Sequence, residues 1–149
     1  MHKVQKICGG LNPYSSQADA YAEKEYRRIR SMSRDCIYVS RNTGIPYEIV
    51  SLIKGYLFDN QHFLSNTGMY GRFDADYSIA QSWARLSNRK LGKGIQPHDV
   101  LLLNHEWLEI QLMLTKQLSQ QEAHYEASKM FNYTLASADY YKRLGFDLK

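Results

Sequence analysis

The sequence predicts an all-α fold: a compact single domain of about six or seven helices, with a buried central helix near residues 98–115. Three observations support this prediction. Apolar residues recur at helical spacing in several segments, helix-capping signals precede those segments, and one segment is apolar around nearly its whole circumference. At 149 residues, with no internal repeat, low-complexity tract or proline-rich linker, residues 1–149 are expected to form one domain.

The N-terminal third is predicted to be a flexible lead-in followed by two helices. Residues 1–15 contain a Gly-Gly pair and an Asn-Pro pair, which are typical of irregular chain. Ser16 gives the N-cap signal for a helix over residues 17–33. Asp35 is expected to cap a short helix that ends at Ser40, before an Asn-Thr-Gly turn.

The middle of the chain is predicted to contain two helices separated by an irregular segment. Pro46 opens the first of these helices, in which apolar residues recur at helical spacing. Residues 59–73 are rich in glycine, asparagine and aromatic residues, which indicates a loop or a short hairpin. Asp74 and Asp76 precede the second helix, which ends at Leu86.

The C-terminal part is predicted to hold the central helix and two further helices. A basic loop over residues 88–94 leads to the central helix, which begins near Pro97. The Ser119 capping box begins the next helix, which runs to about residue 130. Ser137 is expected to cap a last helix that ends at Gly145.

The charge balance favours an anionic partner. The net charge is +4, and the first 41 residues hold eight of the lysines and arginines against four acidic residues. Such a surplus fits nucleic acid, and it fits a solvated basic helix face equally well. No run of 18 apolar residues predicts a transmembrane span, and the first ten residues lack the apolar core of a signal peptide. Cys8 and Cys36 have no metal-ligand spacing, and reduced thiols favour a reducing compartment.

Histidines and carboxylates lie together on the predicted central helix. His105 and Glu109 are one turn apart and share a face, while His98 lies two turns earlier on nearly the same stripe. Glu106 lies about 100° round the helix from His105. Ionisable groups on a buried helix need partners, so the sequence predicts either a structural network or a functional site. The HExxH zinc-peptidase motif does not fit, because a carboxylate replaces its second histidine.

Residues 36–57 have the spacing of a helix-turn-helix motif. The residues expected to face outward from the second helix are Tyr47, Glu48, Ser51 and Lys54, a poor match to base edges and phosphates. Structural packing is therefore the preferred interpretation of this segment.

A phosphohydrolase pattern of a histidine, a His-Asp pair and a distant aspartate can be written with His62, His98, Asp99 and Asp139. In that family both residues of the pair lie inside a helix and bind one metal ion. Here the pair follows Pro97 at a helix start, which disfavours this interpretation.

Four sequence blocks resemble a domain of bacterial polymorphic toxins. The blocks are NPYSSQADAYAEKEYRRIR, IYVSRNTGIPYEIVSLIKGYLF, RFDADYSIAQSWARL and HDVLLLNHEWLEIQLM followed by SQQEAHYEASKMFNY. Similar domains are appended to phage minor head (head-morphogenesis) proteins and to contact-dependent or Rhs-type delivery proteins, and the resemblance covers about residues 11–135. It implies delivery from another cell or a phage-associated context, a cytoplasmic site of action and a cognate immunity protein as partner. It does not by itself supply a reaction.

A toxin effector of this type implies a site that acts on nucleic acid. The catalytic candidates are His105, Glu106, Glu109, His124, Arg72 and Asp76, and the substrate-binding candidates are Arg89, Lys90 and Lys93. Without a metal, one histidine would take a proton from a 2′-hydroxyl and another would protonate the leaving oxygen, while Arg72 or Lys90 would stabilise phosphoryl charge.

The second version of the site contains a divalent metal. His105, Glu109 and His124 would be its ligands, and Glu106 would act as the base. The expected function is a toxin-like effector of nuclease type that acts on nucleic acid, with RNA favoured over DNA. The alternative is a non-enzymatic interaction or helix-turn-helix-type module, phage-associated, in which the cluster of histidines and glutamates is structural.

Overall fold

The computed structural model describes residues 11–147, and within them the chain is all-α, as the sequence predicts. The seven α-helices are α1 (Ser16–Ser31), α2 (Asp35–Thr43), α3 (Tyr47–Lys54), α4 (Tyr77–Leu86), α5 (Pro97–Lys116), α6 (Gln120–Met130) and α7 (Tyr133–Arg143). Most of the predicted lead-in, together with Cys8, lies outside the described residues. Among the residues described, none of the helices has the length and apolar content that crossing a bilayer requires.

The first two helices begin and end at different residues from those predicted. Ser15, not Ser16, is the N-cap of α1, and its side chain accepts a hydrogen bond from the N–H of Ala18. The α2 helix continues past Ser40 to Thr43, because its C-cap residue is Gly44. Gly44 adopts φ 79°, a left-handed conformation that glycine takes without a steric penalty.

The helix predicted from Pro46 changes character near its end. After α3, residues Gly55–Asp59 form a π-helical turn, whose wider winding directs Tyr56, Leu57 and Phe58 into the core. A two-stranded antiparallel hairpin follows, made of β1 (His62–Leu64) and β2 (Met69–Gly71). The hairpin interpretation of residues 59–73 is therefore confirmed.

The predicted capping box of α6 is present, and the predicted start of the last helix is wrong. Ser119 and Glu122 cap each other's backbone N–H groups at the start of α6. The α7 helix begins at Tyr133, one residue after its cap Asn132, which accepts from the N–H of Leu135. Ser137 lies inside α7, where its hydroxyl donates to the carbonyl of Thr134.

The α5 helix forms the centre of the molecule and packs against α3, α4, α6 and α7. Its buried residues include Leu102, Leu103 and Ile110, and the main apolar core continues through Trp83 and other large side chains. The burial is confined to one side and to the first two-thirds of the helix, since Leu114 is 74% exposed. The sequence of this helix is apolar around nearly its whole circumference, which predicts deeper burial than the structure shows.

Two buried ion pairs join the helices around this core. Asp35 accepts hydrogen bonds from Lys54 Nζ at 2.9 Å and from Trp83 Nε1 at 3.0 Å, which links α2, α3 and α4. Arg85 donates to both oxygens of Asp99 at 2.8 Å, which links α4 to the start of α5. Lys54 was expected to face outward; it is buried instead, because its ammonium neutralises a fully buried carboxylate.

Removing Lys54 should therefore destabilise the fold. In Lys54→Met, Asp35 stays buried without its cation, and we expect the free energy of unfolding to fall by about 3–5 kcal/mol. Urea denaturation followed by circular dichroism measures this loss. Lys24→Met, at an exposed position of α1, is the matched control and should change stability by less than about 0.5 kcal/mol. Equal losses in the two variants would contradict the structural role of the Lys54–Asp35 pair.

Candidate metal-binding site

A cluster of two imidazoles and a carboxylate lies where α6 folds back along α5. Gln117, with φ 55°, ends α5 in a left-handed conformation, and the Ser119 capping box starts α6 three residues later. This tight reversal places His124 of α6 beside His105 and Glu109 of α5. The i, i+4 spacing holds the two α5 residues on one face.

Three atoms of the cluster form a nearly equilateral triangle. His105 Nε2 lies 3.1 Å from Glu109 Oε1 and 3.2 Å from His124 Nδ1, and His124 Nδ1 lies 3.0 Å from Glu109 Oε1. Each of these atoms offers a lone pair to its neighbours when it carries no proton. Such a convergence requires protons or a cation, because lone pairs at this distance repel one another.

The second nitrogen of His105 is held by the backbone. His105 Nδ1 lies 2.9 Å from the carbonyl oxygen of Phe131, the C-cap residue of α6. A carbonyl accepts only, so Nδ1 carries a proton and, in the neutral ring, Nε2 presents its lone pair to the triangle. A ligating histidine in metal sites is oriented in the same way, by a hydrogen bond from its other ring nitrogen.

The second oxygen of Glu109 is held equally firmly. Glu109 Oε2 accepts hydrogen bonds from the hydroxyl of Tyr56 and from Gln120 Nε2, the latter at 3.2 Å. Burial opposes ionisation of Glu109, but donors on both oxygens outweigh it and set the pKa of this carboxyl below its usual value. The same carboxylate and burial raise the pKa of Tyr56, which therefore stays a hydrogen-bond donor.

His124 gives the cluster its access to solvent. Its side chain is 50% exposed, whereas those of His105 and Glu109 are almost fully buried. The hydrogen bond to Glu109 raises the pKa of His124, against a smaller opposing effect of burial. A ligand or ion can therefore reach the triangle from the His124 side.

Glu106 is a buried carboxyl beside the triangle. Its Oε2 lies 3.9 Å from His105 Nε2. Burial, reinforced by the charge of Glu109, raises the pKa of Glu106 well above its usual value. A carboxyl of this kind takes up and releases a proton nearer to neutral pH than an exposed glutamate does.

Two small cavities open onto these groups. One, of about 140 Å³, is lined by Glu106, Glu109 and His124, with Asp74 and apolar side chains as its wall. The other, of about 200 Å³, is lined by His105, Glu106, His124 and Asp76. Carboxyl groups line both cavities, and the ionised Glu109 attracts a cation and repels a free anion.

The triangle has the dimensions of one face of a metal coordination shell. Ligand atoms at about 2.0–2.1 Å from one ion lie roughly 2.8–3.4 Å apart in octahedral to tetrahedral geometry, and the observed separations are 3.0–3.2 Å. An ion above the triangle would keep its remaining positions open toward the cavities. Two imidazoles and one carboxylate suit a divalent ion of the zinc class.

The structure brings some of the other candidate residues to this site and leaves the rest elsewhere. Asp76 lines a cavity while its side chain caps α4 through the N–H of Ile79. Arg72 is exposed and donates to the carbonyl of Asp59, outside the lining of both cavities. Arg89, Lys90 and Lys93 follow the far end of α4 and line neither cavity.

The remaining histidines of the described chain are committed to other contacts. His98 Nε2 lies 3.3 Å from a guanidinium nitrogen of Arg85, and the ring packs on Tyr140. His62 Nε2 lies 2.8 Å from the carbonyl of Tyr56, and its ring stacks on Phe73. Among residues 11–147, neither His98 nor His62 belongs to a group of potential metal ligands, so the phosphohydrolase pattern does not assemble.

Sequence reasoning missed the groups that orient the ligands. Tyr56, Gln120 and the Phe131 carbonyl hold Glu109 and His105, and they come from three different segments. Tyr56 lies at helical spacing with other apolar residues, which marks it only as a core residue. A backbone carbonyl gives no sequence signal at all.

Comparison with known proteins gives no family for this chain. No family model matches it, and neither curated proteins nor solved structures give a match. The resemblance to polymorphic-toxin domains therefore stays a prediction, and the functional argument rests on the site itself.

His98 should make stability depend on pH. Burial, helped by Arg85 and Arg143 and opposed by Asp99, lowers the pKa of His98 to about 4. The unfolded chain therefore binds this proton more readily, and the stability contributed by neutral His98 is present above about pH 6.5 and lost toward pH 4. Between pH 7 and pH 5 we expect the stability advantage of wild type over His98→Gln to shrink by roughly 1–2 kcal/mol.

Urea denaturation of both proteins at the two pH values measures this change. The comparison is internal, because every other titrating group is shared by wild type and variant. A stability difference that stays the same at pH 7 and pH 5 would contradict the role given to His98.

Proposed function

We propose that this chain is a toxin-like effector domain that hydrolyses nucleic acid, RNA in preference to DNA, with a divalent ion held by His105, Glu109 and His124. The observation that carries the proposal is the convergence of three ligand atoms within 3.0–3.2 Å of one another. The Phe131 carbonyl, which fixes the ring of His105, makes this a pre-oriented set of ligands rather than a chance contact.

Glu106 is the proposed proton carrier. An ion in the site would lower the pKa of a water molecule and polarise a phosphoryl oxygen. Glu106 takes a proton as the water oxygen bonds to phosphorus, and it returns that proton to the leaving oxygen as the old P–O bond breaks. Its raised pKa makes the ionised Glu106 a stronger base than an exposed glutamate.

The spacing of the histidines disfavours the metal-independent version of the reaction. In that version one histidine serves the attacking oxygen and the other the leaving oxygen, which flank phosphorus on opposite sides. His105 Nε2 and His124 Nδ1 lie 3.2 Å apart on the same oxygen of Glu109, which leaves no room for a phosphate between them. The same spacing favours a shared ion.

The nucleic-acid target is supported by charge. The chain carries a net charge of +4, which attracts a polyanion. Because the walls of the site are acidic, a phosphodiester would be held there through the ion rather than by a basic side chain.

A second candidate function is a non-enzymatic interaction module. It is favoured by one observation: both oxygens of Glu109 have hydrogen-bond partners without any ligand present. In that case the network would serve only to fix the packing of α5 against α6.

The metal site makes a direct prediction. Wild-type protein freed of metal should bind one Zn²⁺ per chain, measured by isothermal titration calorimetry, and should melt several degrees higher at saturating Zn²⁺. His124→Asn removes a half-exposed ligand and should lose most of this binding while keeping the fold. Glu106→Gln, a matched change beside the ligands, should bind Zn²⁺ as wild type does. A wild-type chain that binds no Zn²⁺, Mn²⁺ or Co²⁺ would support the interaction module instead.

The reaction makes a separate prediction. We expect wild type to cleave total RNA faster than single-stranded DNA or plasmid DNA, and EDTA should abolish the cleavage. Glu106→Gln should keep its metal and lose about 10²–10⁴-fold in rate, because only the proton transfer is removed. Gel analysis of timed digests measures both effects. Bound metal with no cleavage of any nucleic acid would contradict the proposed target.

A further inference from the structure

Three arginines gather around one tyrosine at the other end of α4. The guanidinium carbons of Arg41 and Arg89 lie 5.3 Å and 5.6 Å from the ring centre of Tyr38. Arg34 lies close enough to the Tyr38 side chain to interact with its hydroxyl. We call Arg34, Tyr38, Arg41 and Arg89 the arginine cluster.

The charges of the arginine cluster are not neutralised by the residues that the structure describes. None of the ion pairs within residues 11–147 includes Arg34, Arg41 or Arg89. The nearest buried carboxylate, Asp35, is already bound by Lys54 and Trp83. Consistently, the positive charge of Arg89 and Arg34 lowers the pKa of the half-buried Tyr38.

The arginine cluster borders a concave surface of about 570 Å³. Arg34, Tyr38 and Arg89 line it together with Met32, three serines and Asp35, whose carboxylate is paired with Lys54. Guanidinium groups are among the donors that bind phosphate oxygens in protein–nucleic acid interfaces, whereas the hydroxyls of Ser31 and Ser87 already donate to backbone carbonyls. Lys90 and Lys93 follow in the same basic loop and extend the positive surface.

We infer that the arginine cluster binds the phosphate backbone of the nucleic-acid substrate, and this inference rests on the proposed function. Like charges held together cost free energy unless an anion shares them. Arginines cover the Tyr38 ring, so the cluster presents guanidinium donors rather than an aromatic face on which a base could stack. Contacts from guanidinium groups to phosphates do not depend on the base sequence.

The length of α4 separates the metal-binding site from the arginine cluster, and it sets the shortest substrate that can reach both. Asp76, at one end of α4, lines a cavity of the metal-binding site, while Ser87 and Arg89, past its other end, border the arginine cluster. The ten residues of α4 span about 15 Å. At about 3.4 Å per stacked nucleotide, a strand needs at least roughly five nucleotides to bridge this span.

Binding is measured separately from cleavage by adding EDTA, which removes the metal that cleavage is proposed to need. The probes are fluorescein-labelled 12-mers of single-stranded and duplex RNA and a polyglutamate peptide. Compared with wild type, Arg34→Gln/Arg89→Gln should bind single-stranded RNA roughly tenfold more weakly at low salt, with a log–log salt slope shallower by about 1.4. Lys24→Gln/Lys142→Gln removes the same charge from exposed positions elsewhere and should bind nearly as wild type. Equal weakening in the two double variants would overturn the inference, as would polyglutamate binding as tight as RNA.

Cleavage then tests the length requirement. In Arg34→Gln/Arg89→Gln, the KM for the 12-mer should rise about tenfold with little change in kcat, while hydrolysis of a dinucleotide should be unchanged. A fall in dinucleotide hydrolysis would overturn the inference, because the cluster lies outside the site.

The two proposals fail in different ways. RNA binding that depends on Arg34 and Arg89, in a chain that binds no metal, would contradict the proposed function and leave the backbone-binding surface in place. Metal-dependent cleavage that is unchanged in Arg34→Gln/Arg89→Gln would support the proposed function and overturn the backbone-binding role of the arginine cluster.

Discussion

One buried carboxylate, that of Glu109, organises the part of the molecule where chemistry is expected. Its two oxygens accept hydrogen bonds from His124 and Gln120 of α6 and from Tyr56 of the π-helical turn, and Oε1 also lies 3.1 Å from Nε2 of His105 on its own helix. An unpartnered carboxylate at this depth would cost several kcal/mol, so the surrounding elements must dock in the one arrangement that supplies its donors. The packing of α5 against α6 is therefore tied to the charge of Glu109.

The π-helical turn is what allows Tyr56 to reach Glu109. A wider turn at Gly55–Asp59 interrupts regular α-helical winding and directs Tyr56 toward α5. The backbone carbonyl of Tyr56 also lies within hydrogen-bond distance of His62 Nε2 in β1. The hairpin is therefore linked to the π-helical turn through Tyr56. Local irregularity of this kind is common at functional sites, and here it lies one hydrogen bond from the proposed ligand Glu109.

The sequence predicted what depends on local signals and missed what depends on long-range contacts. Six of the seven helices follow from caps and helical spacing, and the i, i+4 rule alone places His105 beside Glu109. Lys54 was predicted to face outward, because the local pattern of its short helix contains no sign of Asp35. That buried carboxylate lies 19 residues earlier in the sequence, and Lys54 neutralises it. The last helix begins at Tyr133, after its cap Asn132, whereas the sequence predicts the cap at Ser137. The arginine cluster joins α2 to a loop nearly fifty residues later, and no local pattern connects them.

The separation of charge along α4 gives the two proposals a common physical basis. An acidic cavity holds a divalent ion well, yet its walls repel the phosphates that flank a scissile bond. A polyanionic substrate therefore needs its remaining phosphates to be bound elsewhere, beyond the Debye length of about 8 Å at physiological ionic strength, where the acidic walls no longer act on them. The arginine cluster, about 15 Å away along the ten residues of α4, meets this requirement. In the proposed reaction the ion would then supply positive charge at the scissile phosphate, and the arginines would set affinity without altering the proton transfer at Glu106.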